Sequence, residues 1–251
     1  KESHVFDKAR PFRIYRSSFL FGGLFWPRWI KLFFVVKDIV KKEGIEMIHV
    51  HHILPVGYVA LLIKKLYKIP YLIFSHGTDI ASLAAVKRKK EFALRVSHSS
   101  EQIITNSHNL KERLLTVFPS LADKTRVLYP CPTREFSLPI DEQTMALLRS
   151  KYALEGKQVM LTVSRMIPSK GFRHLLRVMP ALLQRIPHLV WFIVGDGPMK
   201  QEIISVIRKE NLHNIVRFIG EVPHKDLAVY YHLADVLVLL THPYQGMEEG
   251  L

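Results

Sequence analysis

Apolar residues follow two alternating rhythms along this chain. Short β-branched and aliphatic runs at 159–163 and 189–194 read as buried strands. Between them Phe172, Leu175, Leu176, Met179, Leu182, Leu183 and Ile186 recur at helical spacing, and Pro187 ends the helix. The result is a βαβ unit, whose crossover is right-handed and lays its helix on one face of a parallel sheet. A helix after Met199, a strand at 216–218, a helix at 225–233 and a buried strand at 236–240 follow. The first half shows the same rhythm: strand 47–50, helix 57–67, strand 71–74, strand 103–105, helix 107–118 and strand 126–128. Between the halves, residues 129–139 carry Pro130, Pro132 and Pro139 and read as a linker. The expectation is an α/β protein with two doubly wound parallel-sheet domains, 1–129 and 141–251, joined by a linker at 130–140.

The turns that leave the strands carry the candidate chemistry, because open α/β sheets bind ligands at the carboxyl ends of their strands. After the 159–163 strand come Ser164, Arg165, Ser169, Lys170 and Gly171; after the 189–194 strand come Gly195, Asp196, Gly197 and Pro198. Arg165 can fork onto phosphate oxygens, Lys170 adds a point charge, and a helix opening at Gly171 aims free N–H groups the same way. Gly195 and Gly197 allow close backbone approach, and Pro198 suits the first helical position. The pattern fits a diphosphate. An ordinary basic pair beside an ordinary Gly-Pro turn is the plainer alternative for either turn alone.

Charge changes the picture in the first half. The net charge is +14, and residues 1–130 hold 22 Lys and Arg against 10 Asp and Glu, a net +12. Such a half suits an anionic partner: a membrane surface, a polyanionic acceptor or nucleic acid. A positively charged, solvated face with no partner is the alternative. Residues 11–36 interleave Phe19, Phe21, Phe25, Trp26, Trp29, Phe33 and Phe34 with Arg13, Arg16, Arg28 and Lys31. They suit either an interfacial anchor or aromatics packed on the sheet. Lys41, Lys42 and Gly44 mark a helix stop, and 87–90 reads as a solvated helix face. No apolar run is long enough to cross a bilayer, and the lone Cys131 excludes an internal disulfide and agrees with a reducing cytosol. Beginning at Lys1 and stopping at Leu251, the chain reads as cut at both ends.

Histidines add two candidates. His76 follows the 71–74 strand within Ser75, His76, Gly77, Thr78 and Asp79, where it can reach a ligand hydroxyl or serve simply as a turn residue. His49 and His51 share a strand face beside His52, but no carboxylate or cysteine at ligand spacing accompanies them, which disfavours a metal.

Together the stretches HVHHILPVG, SHGTD, ITNSHNLKERL, VSRMIPSKG, IVGDGP, VRFIGEVPHKDLAVYYHLADVLVLL and the terminal EEGL resemble glycosyltransferase family 4 from about His49 onward. The resemblance implies the GT-B architecture, two Rossmann-like domains facing a cleft. It implies a retaining enzyme that transfers a hexosyl group from a nucleoside diphosphate sugar. On that resemblance Arg165 and Lys170 grip the donor diphosphate, with Gly195, Asp196 and Gly197 beside it. His76 faces the donor sugar, and Glu249 is the first acid of a Glu-x7-Glu pair. The backbone of 218–222, through Ile219, Gly220 and Glu221, receives the base. The sequence departs from the family in lacking the N-terminal strand with its Gly-rich turn, in ending before the second acid, and in its linker residues Tyr129, Pro130, Cys131 and Pro132.

No Asp-x-Asp occurs anywhere, so no metal or other cofactor is expected and the two basic residues would neutralise the diphosphate. The expected acceptor is a lipid-linked or cell-envelope glycan. The expected location is cytoplasmic, peripheral at the inner face of an anionic membrane, with nucleic acid disfavoured as a partner. Two other readings compete: a non-catalytic module binding polyanions or membrane with a degenerate nucleotide pocket, and a GT-B sugar-nucleotide epimerase.

Overall fold

The computed structural model describes residues 11–16, 28–77, 80, 83 and 87–242. Contacts divide the chain between Pro130 and Cys131 into two compact units. Each is an α/β layer structure around a parallel sheet.

In the first unit α1 (Arg28–Glu43) leads into β1 (Ile48–Val50), and α2 (Val56–Tyr67), β2 (Tyr71–Ser75), α3 (Lys87–Ser99), β3 (Ile103–Thr105), α4 (His108–Val117) and β4 (Thr125–Val127) follow. The strands lie in the order β1-β2-β3-β4. Ala60 and Leu61 of α2 pack with Tyr71, Ile73, Ile103, Leu110 and Leu114 into one core, and Val59 and Ile63 of the same helix are buried as well. Tyr71 is buried to its hydroxyl, which donates to the Val96 carbonyl, so its polar end is satisfied inside the core. The last carbonyls of α3 and the turn after it are covered by two lysines: Lys64 donates to Ser99 and to the Glu101 carboxylate, Lys124 to His98 and Ser100. Cations suit that end of a helix dipole. Trp29 of α1 meets Tyr58 edge-on at 4.8 Å, whereas Phe34 stays exposed, so this aromatic segment divides between packing and surface. Phe19, Phe21, Phe25 and Trp26 lie outside the described residues.

The second unit runs α5 (Glu142–Lys151), β5 (Gln158–Val163), α6 (Phe172–Arg185), β6 (Leu189–Val194), α7 (Lys200–Lys209), β7 (Val216–Gly220), α8 (Leu227–Leu233) and β8 (Val236–Leu237). Strand order is β7-β6-β5-β8, so the winding reverses at β5. Period-two alternation then sends side chains to two cores. Met160, Trp191 and Ile193 face α6 and α7, while Val159, Leu161, Val190, Phe192 and Val194 face Leu148 of α5 and Leu233 of α8. A buried polar chain bridges the reversal: the Trp191 indole donates to Thr162 Oγ1 at 3.0 Å, and that hydroxyl donates to the Val238 carbonyl at 2.8 Å.

Several expectations change at element ends. Ser107 stands outside α4 as its cap, accepting from the Leu110 N–H at 3.2 Å. Helix α5 is an addition, capped by Asp141, which accepts from the Thr144 N–H at 2.8 Å. Pro198 lies ahead of α7 in a turn, not in its first helical position. Residues of the Pro-rich stretch include a 3-10 turn, Arg134–Ser137, whose Phe136 packs on His224 and Tyr231 of the second unit. The buried strand expected at 236–240 is instead a two-residue edge strand whose Val236 and Leu237 are 48% and 52% exposed. It pairs with β5 on one side only, and no other described strand pairs with it.

The turns leaving β5, β6 and β8 touch backbone to backbone. Gly171 has φ +71°, and a Cβ there would stand 2.1 Å from the Leu240 carbonyl oxygen. Gly195 has φ +124°, and its Cβ would stand 2.1 Å from the Ser164 oxygen. Gly156 shares the positive φ, +66°, but has open space around it. Replacing Gly171 by Ala therefore costs the left-handed conformation, about 1–2 kcal/mol, plus a clash that rigid backbone cannot relieve. Gly156→Ala costs the conformational part alone. Urea unfolding of the two variants checks this; equal losses of stability would contradict the close-approach argument.

Candidate functional site

The reversal of strand order puts the exits of β5 and β8 side by side, the position where open α/β sheets hold ligands. Three turns converge there. The β5 exit runs through Ser164, Arg165 and a 3-10 turn, Pro168–Lys170, to Gly171, which opens α6. The β6 exit is bound to it twice, with the Met166 N–H donating to Asp196 at 2.9 Å and the Met199 N–H to Met166 at 3.0 Å. The β8 exit is bound through the His242 N–H, which donates to the Ser169 carbonyl at 3.0 Å.

A cavity of about 300 Å³ opens on this edge, lined by Ser164, Arg165, Gly195, Asp196, Glu221 and Leu227 among others. Arg165, Gly195, Asp196 and Glu221, each a candidate from sequence, are thereby brought together. Gly220 stands just behind: its carbonyl accepts from the Gly195 N–H at 2.7 Å. Ile219 packs into the core on the α8 face. Lys170 is half-buried in the 3-10 turn and does not line the cavity. Glu249 lies outside the described residues.

The glycines are also required within the chain itself. The atoms nearest to an added Cβ belong to the chain itself, Ser164 for Gly195 and Met166 for Gly197, so these residues let two turns pack. Asp196 is also committed locally. Its carboxylate accepts from Lys200 at 2.6 Å and from the Gly197 N–H at 2.7 Å, and the Lys200 bond followed by the Gly197 bond holds its pKa below the ordinary value. Pairing with Lys200 offsets a negative charge that would otherwise repel a phosphate. Arg165 is exposed, and no ion pair involves it among the described residues. The first turn of α6 has no acidic residue, and its Arg173 is held by Glu202. Arg165 and the helix start are therefore the features of the edge from which an anion gains, while Glu221 adds a carboxylate to the same cavity.

In the first unit the corresponding edge carries histidines. His76 follows β2, and its Nε2 lies 3.0 Å from Nδ1 of His51, which follows β1. Sequence reasoning met His51 only as a metal candidate; among the described residues no group of three His, Cys, Asp or Glu is suited to a metal. Strand alternation did hint at the cluster, since His49 and His51 both contact the Phe74 ring. A cavity of about 670 Å³ in this unit is lined by Arg88, Lys89, Glu91, Phe92 and Arg95 of α3 with Leu54, three cations against one carboxylate.

Comparison with known proteins matches both units. The model of Glycosyltransferase Family 4 covers residues 2–131, and that of Glycosyl transferases group 1 covers residues 145–250. An uncharacterized glycosyltransferase of Methanocaldococcus jannaschii is 27% identical over 219 residues, 82% of this chain and 56% of its own length. A GDP-mannose-dependent alpha-(1-6)-phosphatidylinositol monomannoside mannosyltransferase of Mycolicibacterium smegmatis is 22% identical over 205 residues, 81% of this chain and 53% of its own length. The chain thus spans about half the length of the curated relatives it matches. The crystal structure of Anabaena HepE in complex with UDP-glucose superposes with TM-score 0.62 at 20% identity, over 81% of this chain and 55% of that one. The two parallel-sheet α/β units share the GT-B fold of such enzymes. With one family's model spanning more than half of its residues, the chain belongs to glycosyltransferase family 4.

Proposed function

We propose that the protein is a retaining glycosyltransferase that moves a hexosyl group from a nucleoside diphosphate sugar to a lipid-linked or cell-envelope glycan. The observation that carries this reading is the second unit's carboxyl edge, where Arg165 and the β6 turn line one cavity beside the start of α6. The nucleoside enters the cavity, its base against the backbone of Ile219, Gly220 and Glu221. The diphosphate lies toward Arg165, Lys170 and the N–H groups after Gly171. Negative charge grows on the diphosphate as the sugar leaves, and fixed cations aimed at that charge lower the barrier. Arg165 and Lys170 take the part a metal would play, so no cofactor is assigned. The family resemblance assigns His76 and Glu249 to the donor sugar. With no nucleophile assigned, the departing phosphate assists the incoming hydroxyl, which keeps the configuration. HepE in complex with UDP-glucose, on the same fold, supports the donor class.

The acceptor reading rests on the first unit. Its net charge of +12 and the cavity lined by Arg88, Lys89 and Arg95 favour an anionic acceptor or membrane surface over a neutral one. The Mycolicibacterium relative, named for a phosphatidylinositol mannoside, supports a lipid-linked acceptor. No described helix is long and apolar enough to cross a membrane, so contact of this kind would be at the surface.

Two outcomes are expected. A nucleoside diphosphate at saturating concentration raises the thermal midpoint of the chain by mass action. Arg165→Ala or Lys170→Ala abolishes that rise, and each lowers transfer by the full-length enzyme by about 10²–10³. A rise that survives both substitutions, with near-normal turnover, overturns the assignment. Sedimentation with phosphatidylglycerol vesicles tests the acceptor side: the triple variant Arg88→Ala, Lys89→Ala, Arg95→Ala should bind less, and both proteins should lose binding as salt rises. Binding that the triple variant leaves unchanged would assign the charge of α3 to solubility alone.

A further inference from the structure

His51, which the donor reading does not use, is paired with His76, which it does. Their facing nitrogens, Nδ1 of His51 and Nε2 of His76, are 3.0 Å apart. The ring planes differ by 7° with centroids 5.3 Å apart, so the imidazoles lie nearly parallel and meet through one N–H···N bond. Phe74 stacks on His51 at 5.0 Å and 15°, which fixes the plane of the first ring and through it the second.

One proton must occupy the gap. Two N–H groups facing each other would repel, and so would two lone pairs. When both rings are neutral, a proton on His51 Nδ1 leaves His76 as its Nδ1–H tautomer, and a proton on His76 Nε2 makes both rings Nε2–H tautomers. The two imidazoles therefore carry matching tautomers. We propose that His51 is a positioning residue for His76: it holds the plane of the His76 ring and, through the shared proton, fixes the tautomer that His76 presents. Nε2 of His76 is occupied by this bond, so Nδ1 is the nitrogen left to meet a ligand. The importance of this for transfer rests on the reading of His76 as the sugar-facing residue.

Partial burial, followed by the neighbouring imidazoles of His76, His49 and His52, holds the pKa of His51 below the ordinary histidine value. Those three histidines are the titratable groups that act on it among the described residues.

Two-bond ¹H–¹⁵N spectra of histidine-labelled protein, taken near about pH 8 where imidazoles are neutral, read the tautomers directly. They should show His51 and His76 each in a single tautomer, and in the same one. His51→Asp places a group that can only accept near the position of Nδ1 and should keep His76 in one tautomer, with its proton on Nε2. His51→Leu should release His76 into a mixture. Opposite tautomers in the wild type, or a His76 that is indifferent to His51→Leu, would overturn the proposal. No substrate enters the measurement, so its failure is separate from failure of the transferase reading. His51 is exposed, so neither variant endangers folding.

Discussion

Backbone-to-backbone contact among three turns is the constraint on which the second unit depends. The oxygens of Ser164 and Leu240 occupy the space where Gly195 and Gly171 would carry a Cβ. Any other residue would push the turns apart and open the edge. The contacts follow from the parallel sheet, which puts every strand exit at one end, and from its order, which seats β5 between β6 and β8. The Trp191–Thr162–Val238 hydrogen bonds hold the same three strands together from within. Rigidity here has a functional sense: donors fixed before the ligand arrives need little reorganisation when charge develops.

Charge is sorted with equal economy. Asp196 and Glu202 are each held by a cation, Lys200 and Arg173, while Glu221 lines the cavity as a further carboxylate. Arg165 is left to face the cavity. In the first unit Lys64 and Lys124 are absorbed by carbonyls around the end of α3, whereas Arg88 and Lys89 at its start, with Arg95 further along and Glu91 between them, line a cavity. Cations near a helix N-terminus gain nothing from the dipole, and no acidic residue in the first turn of α3 relieves them. An anionic partner would.

Much of this was legible in the chain. The strand runs were found within a few residues because each is a short β-branched stretch bounded by turn residues, and α6 because seven apolar residues keep its spacing. Helix α5 was missed although Asp141 caps it: none of its residues is buried, so its apolar stripe is weak. The extent of β8 was overread because Val238, Leu239 and Leu240 continue its apolar run, and apolarity alone does not report where a ladder ends. The role of Gly195 and Gly197 was half legible. Glycine signals close approach, but that Ser164 and Met166 are the chain's own neighbours at these positions is a tertiary fact. The His51–His76 bond spans 25 residues and depends on the parallel register of β1 and β2, which no local pattern reports.

The central claim is that the edge formed by the β5, β6 and β8 turns holds a diphosphate. Crystals of the chain soaked with UDP would test it most directly. The account predicts density for the two phosphates within hydrogen-bonding reach of Arg165 and of the N–H groups following Gly171, with the uridine in the cavity beside Glu221. Phosphates bound instead at Arg88, Lys89 and Arg95, with the second unit's edge empty, would contradict it.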